Sequence, residues 1–421
     1  MLNLDFICKY PDVVREGLRR RCEEQQIDEI LYLAEQRRSV LASRDELYST
    51  LKPLKEAVRS TTQERRAPVN RQIKGITGDL QQREAQLADI ETRLQFLLLR
   101  LPNMPHQSIA GGKGAQDREL RRRGEPVSFY YQPRTHAELG QRLRLFDAES
   151  GVKVAGSRFV TMRGMGARLE RALMTFMLDV HTQEHGYTEV LPPFLARRSV
   201  MQAAGQLPKF EDQAYLCTAD ELFLNPTAEV PLVGLHSDSI LPAGTLPLRY
   251  VAWTTAFRRE AGSASRQTRG LLRLHQFNKV ELFQLVAPEE SYDALEQMVR
   301  HAESILQRLE LHYRAVELCA PNLPFSSART IDLEVWMPAQ ETFVEISSIS
   351  NCEAFQARRA NIKYRPSSNS RADYVHTLNG SALAIGRTIA AILETYQQAD
   401  GTVIVPKVLR PFMGTSLLTP E

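Results

Sequence analysis

Arg258-Arg259-Glu260 closes an apolar run that ends in Phe257, and His275-Gln276-Phe277 lies in the next run, which also carries Glu281. A guanidinium fork can hold a carboxylate and a phosphate oxygen at once, so this segment could bring an acid and a phosphate together. The runs Arg249–Phe257 and Leu271–Val286, around the polar loop from Ala261 to Gly270, predict a β-hairpin. Its alternation places Arg258 and Glu260 on one face. A second candidate is Leu378-Asn379-Gly380-Ser381-Ala382-Leu383-Ala384-Ile385-Gly386-Arg387. A strand of small residues lets a ligand approach closely, and an arginine where strand becomes helix can meet phosphate or stack on a planar ring. His181 and His185 stand four apart, with Thr-Gln-Glu between them and no third ligand, and are read as surface residues. His275 is read as a structural hydrogen-bonding group. The five cysteines (Cys8, Cys22, Cys217, Cys319, Cys352) form no CxxC pair. That excludes a zinc ribbon or a thioredoxin-type motif and suggests a reducing compartment.

The elements that must position these groups begin after the first hundred residues, which read differently. From Ile27 to about Arg66 there is no glycine, and Pro53 is the only proline. Val40, Leu47, Leu51, Leu54 and Val58 recur at heptad spacing, and Leu80, Leu87, Ile90, Leu94, Leu97 and Leu101 do so after a break at Ala67-Pro68. This is the pattern of an antiparallel coiled-coil arm over about 27–101, each helix roughly 50–60 Å long. Arg59, Arg65, Arg66, Arg71 and Lys74 stand at the hinge against Glu64 alone, a net +4. A basic tip on a long rod suits a phosphate backbone better than a partner helix.

Pro102–Pro105 ends the second helix, so a domain of residues 1–105 is followed by one of 106–421. The second reads as α+β, with a helix over Ala167–Gln183 and a further strand at Thr342–Ile346. No GxGxxG or GxxxxGK loop is present, which argues against a Rossmann or P-loop nucleotide site. The 53 basic and 50 acidic residues nearly cancel, so any nucleic-acid contact must come from local patches. The N-terminus turns charged too soon for a secretory signal and no apolar run reaches the ~18 residues of a membrane span. The chain is therefore expected to be cytoplasmic, without a membrane partner.

Gly186-Tyr187-Thr188-Glu189-Val190-Leu191-Pro192-Pro193-Phe194, the Arg258–Glu281 segment and the Leu378–Arg387 segment resemble, in order, motifs 1, 2 and 3 of the class II aminoacyl-tRNA synthetases. Gln206–Phe210, Asn225–Leu232, Glu345-Ile346-Ser347-Ser348 with Asn351, and Phe355–Arg359 narrow the resemblance to the seryl-tRNA synthetase family of the bacterial type, from Met1 to about Gly414. Each segment alone fits an ordinary ion pair or buried strand; their number and order carry the likeness.

The resemblance implies an antiparallel catalytic sheet flanked by helices and an arm that binds tRNA through Arg59, Arg65, Arg66, Arg71 and Lys74. It implies activation of L-serine by ATP and transfer to the 3′ end of tRNA(Ser), with tRNA(Sec) as a further candidate acceptor. Thr227, Ala228, Glu229, Arg258, Glu281, Asn379 and Ser381 would bind serine. Arg258, Arg259, Glu260, Leu274, Phe277, Glu345, Ile346, Ser347, Ser348 and Arg387 would bind ATP, with Arg258, Glu260 and Arg387 catalytic. Glu345 and Ser348 would hold Mg²⁺ on the phosphates, and no zinc is expected. Motif 1 implies a homodimer with tRNA bound across subunits. Ser265, Gln267, Ile349, Cys352, Arg122 and Ala382 depart from the commoner family pattern, and none has a direct role. Three rivals are a duplicate copy specialised for antibiotic resistance or for supplying a biosynthetic pathway, an enzyme charging a carrier protein, and a non-catalytic tRNA-binding module. The arm argues against the carrier reading, and retention of Arg258, Glu260, Glu345 and Arg387 argues against the module.

Overall fold

The structure, a computed structural model, describes residues 1–23, 27–60, 63–261 and 270–420, without the side chains of 59–60 and 63–65. It forms two compact units, one of Leu2–Arg19 with Glu23–Leu101, the other of Met1, Arg20–Cys22 and Pro102–Glu421.

In the smaller unit α1 (Leu4–Lys9) and α2 (Pro11–Arg20) precede two long helices, α3 (Ile27–Ser60) and α4 (Gln63–Arg100). The long helices are antiparallel, because Arg93 reaches Glu29, Arg37 reaches Glu91 at 2.9 Å, and Tyr48 donates to Glu84 at 2.7 Å. Those polar pairs are exposed, so apolar burial supplies most of the stability. Ile30, Val40 and Leu51 are buried on α3, and Leu80, Leu87, Ile90, Leu94 and Leu98 on α4. The seam departs from the heptad expectation at Leu97, which is only half-buried while Leu98 is buried. An α-helix turns every 3.6 residues, so a 3.5-residue stripe drifts off the contact face unless the helices supercoil. The expected break at Ala67-Pro68 is absent. Pro68 is the sixth residue of α4, where its missing N–H forfeits one intrahelical bond close to the helix start.

The larger unit is built on a sheet of β1 (Arg118–Arg123), β2 (Thr188–Glu189), β3 (Leu248–Phe257), β4 (Gln276–Val286), β5 (Tyr313–Glu317), β6 (Arg329–Met337), β7 (Thr342–Asn351) and β8 (His376–Ala384). The strand order is β1-β5-β6-β7-β8-β4-β3-β2, and only the short β2 pairs in parallel. Helices α5 (Gly164–Gln183), α6 (Ser291–Arg308) and α7 (Ile385–Tyr396) supply Leu173, Met177, Met298, Ile389 and Leu393 to one apolar core, where they meet Val280, Leu282, Ile349 and Leu378 of the sheet. Strand alternation then turns their neighbours Glu281 and Asn379, with Ser381 two residues beyond Asn379, to the opposite face.

Two bulges set what that face presents. Between β4 and β8, Val280 pairs with Leu383 but Glu281 with Ser381, leaving Ala382 as the extra residue. Between β6 and β7, Leu333 pairs with Ser347 but Glu334 with Glu345, leaving Ile346 extra. Residues three apart in a regular strand face opposite ways. The second bulge cancels that, so Glu345 and Ser348 share the face of Asp332, which pairs with Ser348. The hairpin predicted from sequence is present as β3 and β4, but β4 starts at Gln276 and not at Leu271. Leu271 and Leu272 are buried in the helix-covered core instead.

Candidate active site

On the polar face a cavity of about 580 Å³ is lined by residues of the Arg258–Glu281 and Leu378–Arg387 segments, together with Thr227, Glu229 and Glu345, while the Gly186–Phe194 segment does not reach it. Glu260, Leu274, Glu281, Ile346, Ser348, Asn379 and Ser381 line it as well. Arg258 and Glu260 lie beyond the end of β3, so strand alternation does not bring them together; Glu260 sits at φ 48°, and Arg273 holds its carboxylate at 2.9 Å.

One end of the cavity carries two buried carboxylates. Thr227 Oγ1 donates to Glu281 at 3.0 Å, and the ammonium of Lys279 lies 2.9 Å from Thr227 Oγ1 and forms an ion pair with Glu281. Glu229 accepts from the side-chain amides of Gln356 and, at 3.0 Å, Asn379. Gln356 is fixed in turn by Thr377, whose hydroxyl donates to its carbonyl at 2.6 Å. Burial, reinforced by Glu281, pushes the Glu229 carboxyl up to about 7 against the opposing pull of Lys279. Burial also pushes up the thiol of Cys352, which accepts from Asn379 at 3.4 Å.

Arg258 occupies the middle. Its guanidinium lies 5.2 Å from the centre of the Phe277 ring, and Nε donates to the Pro226 carbonyl at 3.2 Å. Burial lowers its pKa from the ordinary value while Glu260 opposes the change. His275 accepts its predicted structural place, with Nδ1 2.8 Å from the Arg258 carbonyl. At the far end Arg387 donates to the Leu272 and Glu345 carbonyls at 3.3 and 2.6 Å, with the Glu345 carboxylate 3.5 Å away. Asp332 sits beside Glu345 and Ser348, its carboxyl pushed up to about 8 by burial first and Glu345 second, and its Oδ1 is buried without a hydrogen-bond partner.

Three expected residues do not line the cavity. Ala228 is packed in an apolar cluster, Arg259 is exposed, and Ser347 turns its hydroxyl to the Ser381 carbonyl. Arg66, Arg71 and Lys74 are exposed along α4, whereas the side chains of Arg59 and Arg65 lie outside the described residues, as do Ser265 and Gln267. Lys279, Asp332 and Gln356 were not anticipated as site residues. Lys279 stands two residues before Glu281, and that spacing in a strand was the available signal. The surface reading of the histidine pair is corrected: His181 is buried, His181 and His185 touch through their Nδ1 atoms at 2.9 Å, and His185 stacks on His301 of α6 at 4.1 Å. Helical spacing told which two share a face but not that α6 covers it. Among the described residues no three His, Cys, Asp or Glu side chains are grouped to hold a metal ion. A cation at Glu345 and Ser348 therefore needs further oxygens, such as phosphates.

Residues 1–105 match the family model of the seryl-tRNA synthetase N-terminal domain, and residues 210–396 that of the class II tRNA synthetase core domain (G, H, P, S and T). The chain is 50% identical over 418 residues to a serine–tRNA ligase of Geobacillus kaustophilus, covering 98% of this chain and 99% of that one. To the serine–tRNA ligase of Clostridium tetani it is 44% identical over 420 residues, covering 98% and 99%. Among solved structures it matches seryl-tRNA synthetase from Pyrococcus horikoshii complexed with ATP, with a TM-score of 0.93, 35% identity and full coverage of both chains. It also matches the cytoplasmic serine–tRNA ligase of Naegleria fowleri in complex with AMP, with a TM-score of 0.87 and 26% identity over 100% of this chain and 99% of that one.

Proposed function

The chain belongs to the seryl-tRNA synthetase family, of class II, and we propose that it activates L-serine with ATP and transfers the seryl group to the 3′ end of tRNA(Ser). The observation that carries this is the single cavity in which Thr227, Glu229, Arg258, Glu281, Glu345 and Arg387 meet, although up to 160 positions separate them. The serine ammonium faces Glu229 and its hydroxyl faces Glu281 with Ser381, while Arg258 holds the carboxylate against the α-phosphate. Adenine lies between Phe277 and Arg387, with Glu260 accepting from its amino group.

The serine carboxylate attacks the α-phosphorus in line and pyrophosphate leaves. The terminal tRNA hydroxyl then attacks the seryl-adenylate carbonyl, releasing AMP. No protein nucleophile is needed, since positioning and charge neutralisation supply the rate. Glu345 and Ser348 fit a hard cation such as Mg²⁺, and the buried, unpartnered Oδ1 of Asp332 adds an oxygen beside them. When bound there, Mg²⁺ neutralises phosphate charge. Alanine is penalised because it leaves the hydroxyl-reading groups unpaired, whereas threonine must be excluded by size, a filter of ~1–3 kcal/mol per methylene.

The tRNA lies along the exposed Arg66, Arg71 and Lys74 of the arm. Motif 1 forms the interface of a homodimer across which tRNA spans the subunits; Leu191 of that motif is 72% exposed, which supports an apolar partner surface there. No helix among the described residues is long and apolar enough to cross a membrane, and the proposed workplace is the cytoplasm. The test is charging of a serine tRNA transcript with labelled serine, ATP and Mg²⁺. Seryl-tRNA should form, and its absence with folded enzyme and competent tRNA would refute the proposal.

A further inference from the structure

Lys279 is buried, at 7% exposure, and it lies on the site face of β4 two residues from Glu281, itself 2% exposed. A buried ammonium needs an anion beside it, and a buried carboxylate needs a cation. Here the two satisfy each other, and Thr227 Oγ1 joins them at 2.9 Å from the ammonium and 3.0 Å from the Glu281 carboxylate. The second carboxylate of the pocket is held differently. The hydrogen-bond partners of Glu229 are the neutral amides of Gln356 and Asn379.

From this contrast we infer that Lys279 is the positioning residue that divides labour between the two carboxylates. By neutralising Glu281 it leaves that group as an acceptor for a neutral donor, the serine hydroxyl, and leaves Glu229 as the pocket's counter-charge for the serine ammonium. Without Lys279 two buried anions compete for one ammonium, and the hydroxyl loses its dedicated reader. The inference rests on the proposed reading of Glu281 as the group that meets the hydroxyl.

A double-mutant cycle in ATP–pyrophosphate exchange tests it, with serine and alanine as alternative substrates and the full chain throughout. Lys279→Met should lower kcat/KM for serine on the order of a hundredfold, mainly through serine KM, with the KM for ATP unchanged. Its preference for serine over alanine should fall alongside. Lys279→Arg, which keeps the charge, should restore most of the loss. Because a neutral amide needs no counter-ion, Lys279→Met placed on Glu281→Gln should cost at most about twofold more than Glu281→Gln alone. Multiplying losses in the double variant, or failure of Lys279→Arg to rescue, overturns the role of Lys279. If Glu281→Gln keeps full preference for serine over alanine, the reading of Glu281 itself is overturned and the inference goes with it. Thermal melting of each variant identifies a merely unfolded chain; if Lys279→Met is one, Lys279→Arg decides, near-normal serine KM and preference over alanine upholding the role and loss of both in a folded variant overturning it.

Discussion

The arm and the sheet handle charge in opposite ways. Along α3 and α4 the ion pairs lie in water: Arg37 and Glu91 keep 38% and 47% of their side chains exposed. On the sheet face Lys279 and Glu281 keep 9% and 2%. Water screens each arm pair from the next, so those charges act nearly independently and each can be lost at small cost. In the cavity, removing Lys279 or Glu281 leaves the other buried and unpaired, so the two stand or fall together. One region tolerates change by being additive, and the other gains specificity by being coupled.

The contrast breaks most visibly at Arg258. Arg258→Ala should reduce exchange by a factor on the order of a thousand or more, and near-normal exchange would remove the guanidinium from the chemistry. Deleting Ile27–Leu101 should leave exchange within about a fewfold of the full chain while tRNA charging falls below detection, because under the proposed function only charging uses the arm. Equal loss of both would make the arm structural.

Glu229 gives a titration. Its carboxyl is raised to about 7, and in the proposed serine pose only its carboxylate form attracts the ammonium. Serine KM should therefore fall as pH rises from 6 to 8, with about tenfold per unit at the acid end. Glu229→Gln should bind serine weakly and flatten the profile; an unchanged profile in that variant would assign the titration elsewhere. On the arm, replacing Arg66, Arg71 and Lys74 by alanine should weaken tRNA binding and make its log–log salt slope shallower by about two to three. An unaltered slope would mean the exposed residues do not touch phosphate. The smallest effect belongs to Arg37→Ala, which should cost under about 1 kcal/mol in denaturant titration. A larger loss would show that the arm's pairs are coupled like those of the site.

The two regions also differed in how far the sequence revealed them. The arm follows from local periodicity, which reads Val40, Leu51, Leu80, Leu87, Ile90 and Leu94 as buried, overlooks Ile30, Leu33 and Ala34 near the start of α3, finds Leu47, Leu54 and Val58 only half-buried, and parts from the real helix at Leu97 and Leu98. The site residues Arg258, Glu281 and Arg387 were legible because their segments are long and ordered. Asp332, Gln356 and Lys279 were not. Asp332 meets Ser348 by strand pairing, Glu345 joins them only through the bulge at Ile346, and neither a pairing register nor a one-residue insertion in a ladder leaves a periodic trace. Gln356 reaches Glu229 from 127 positions away. The histidine pair was misplaced for the same reason, since His301 lies 116 positions from His185 and no local pattern links them.

The central claim is that this coupled cavity activates serine and no other amino acid. Exchange of labelled pyrophosphate into ATP, measured with the full chain and each of the twenty amino acids in turn, tests it most directly. Serine alone should drive rapid exchange, with alanine weaker by orders of magnitude and threonine the nearest competitor. Exchange driven by none of them, or better by another amino acid than by serine, would contradict the account.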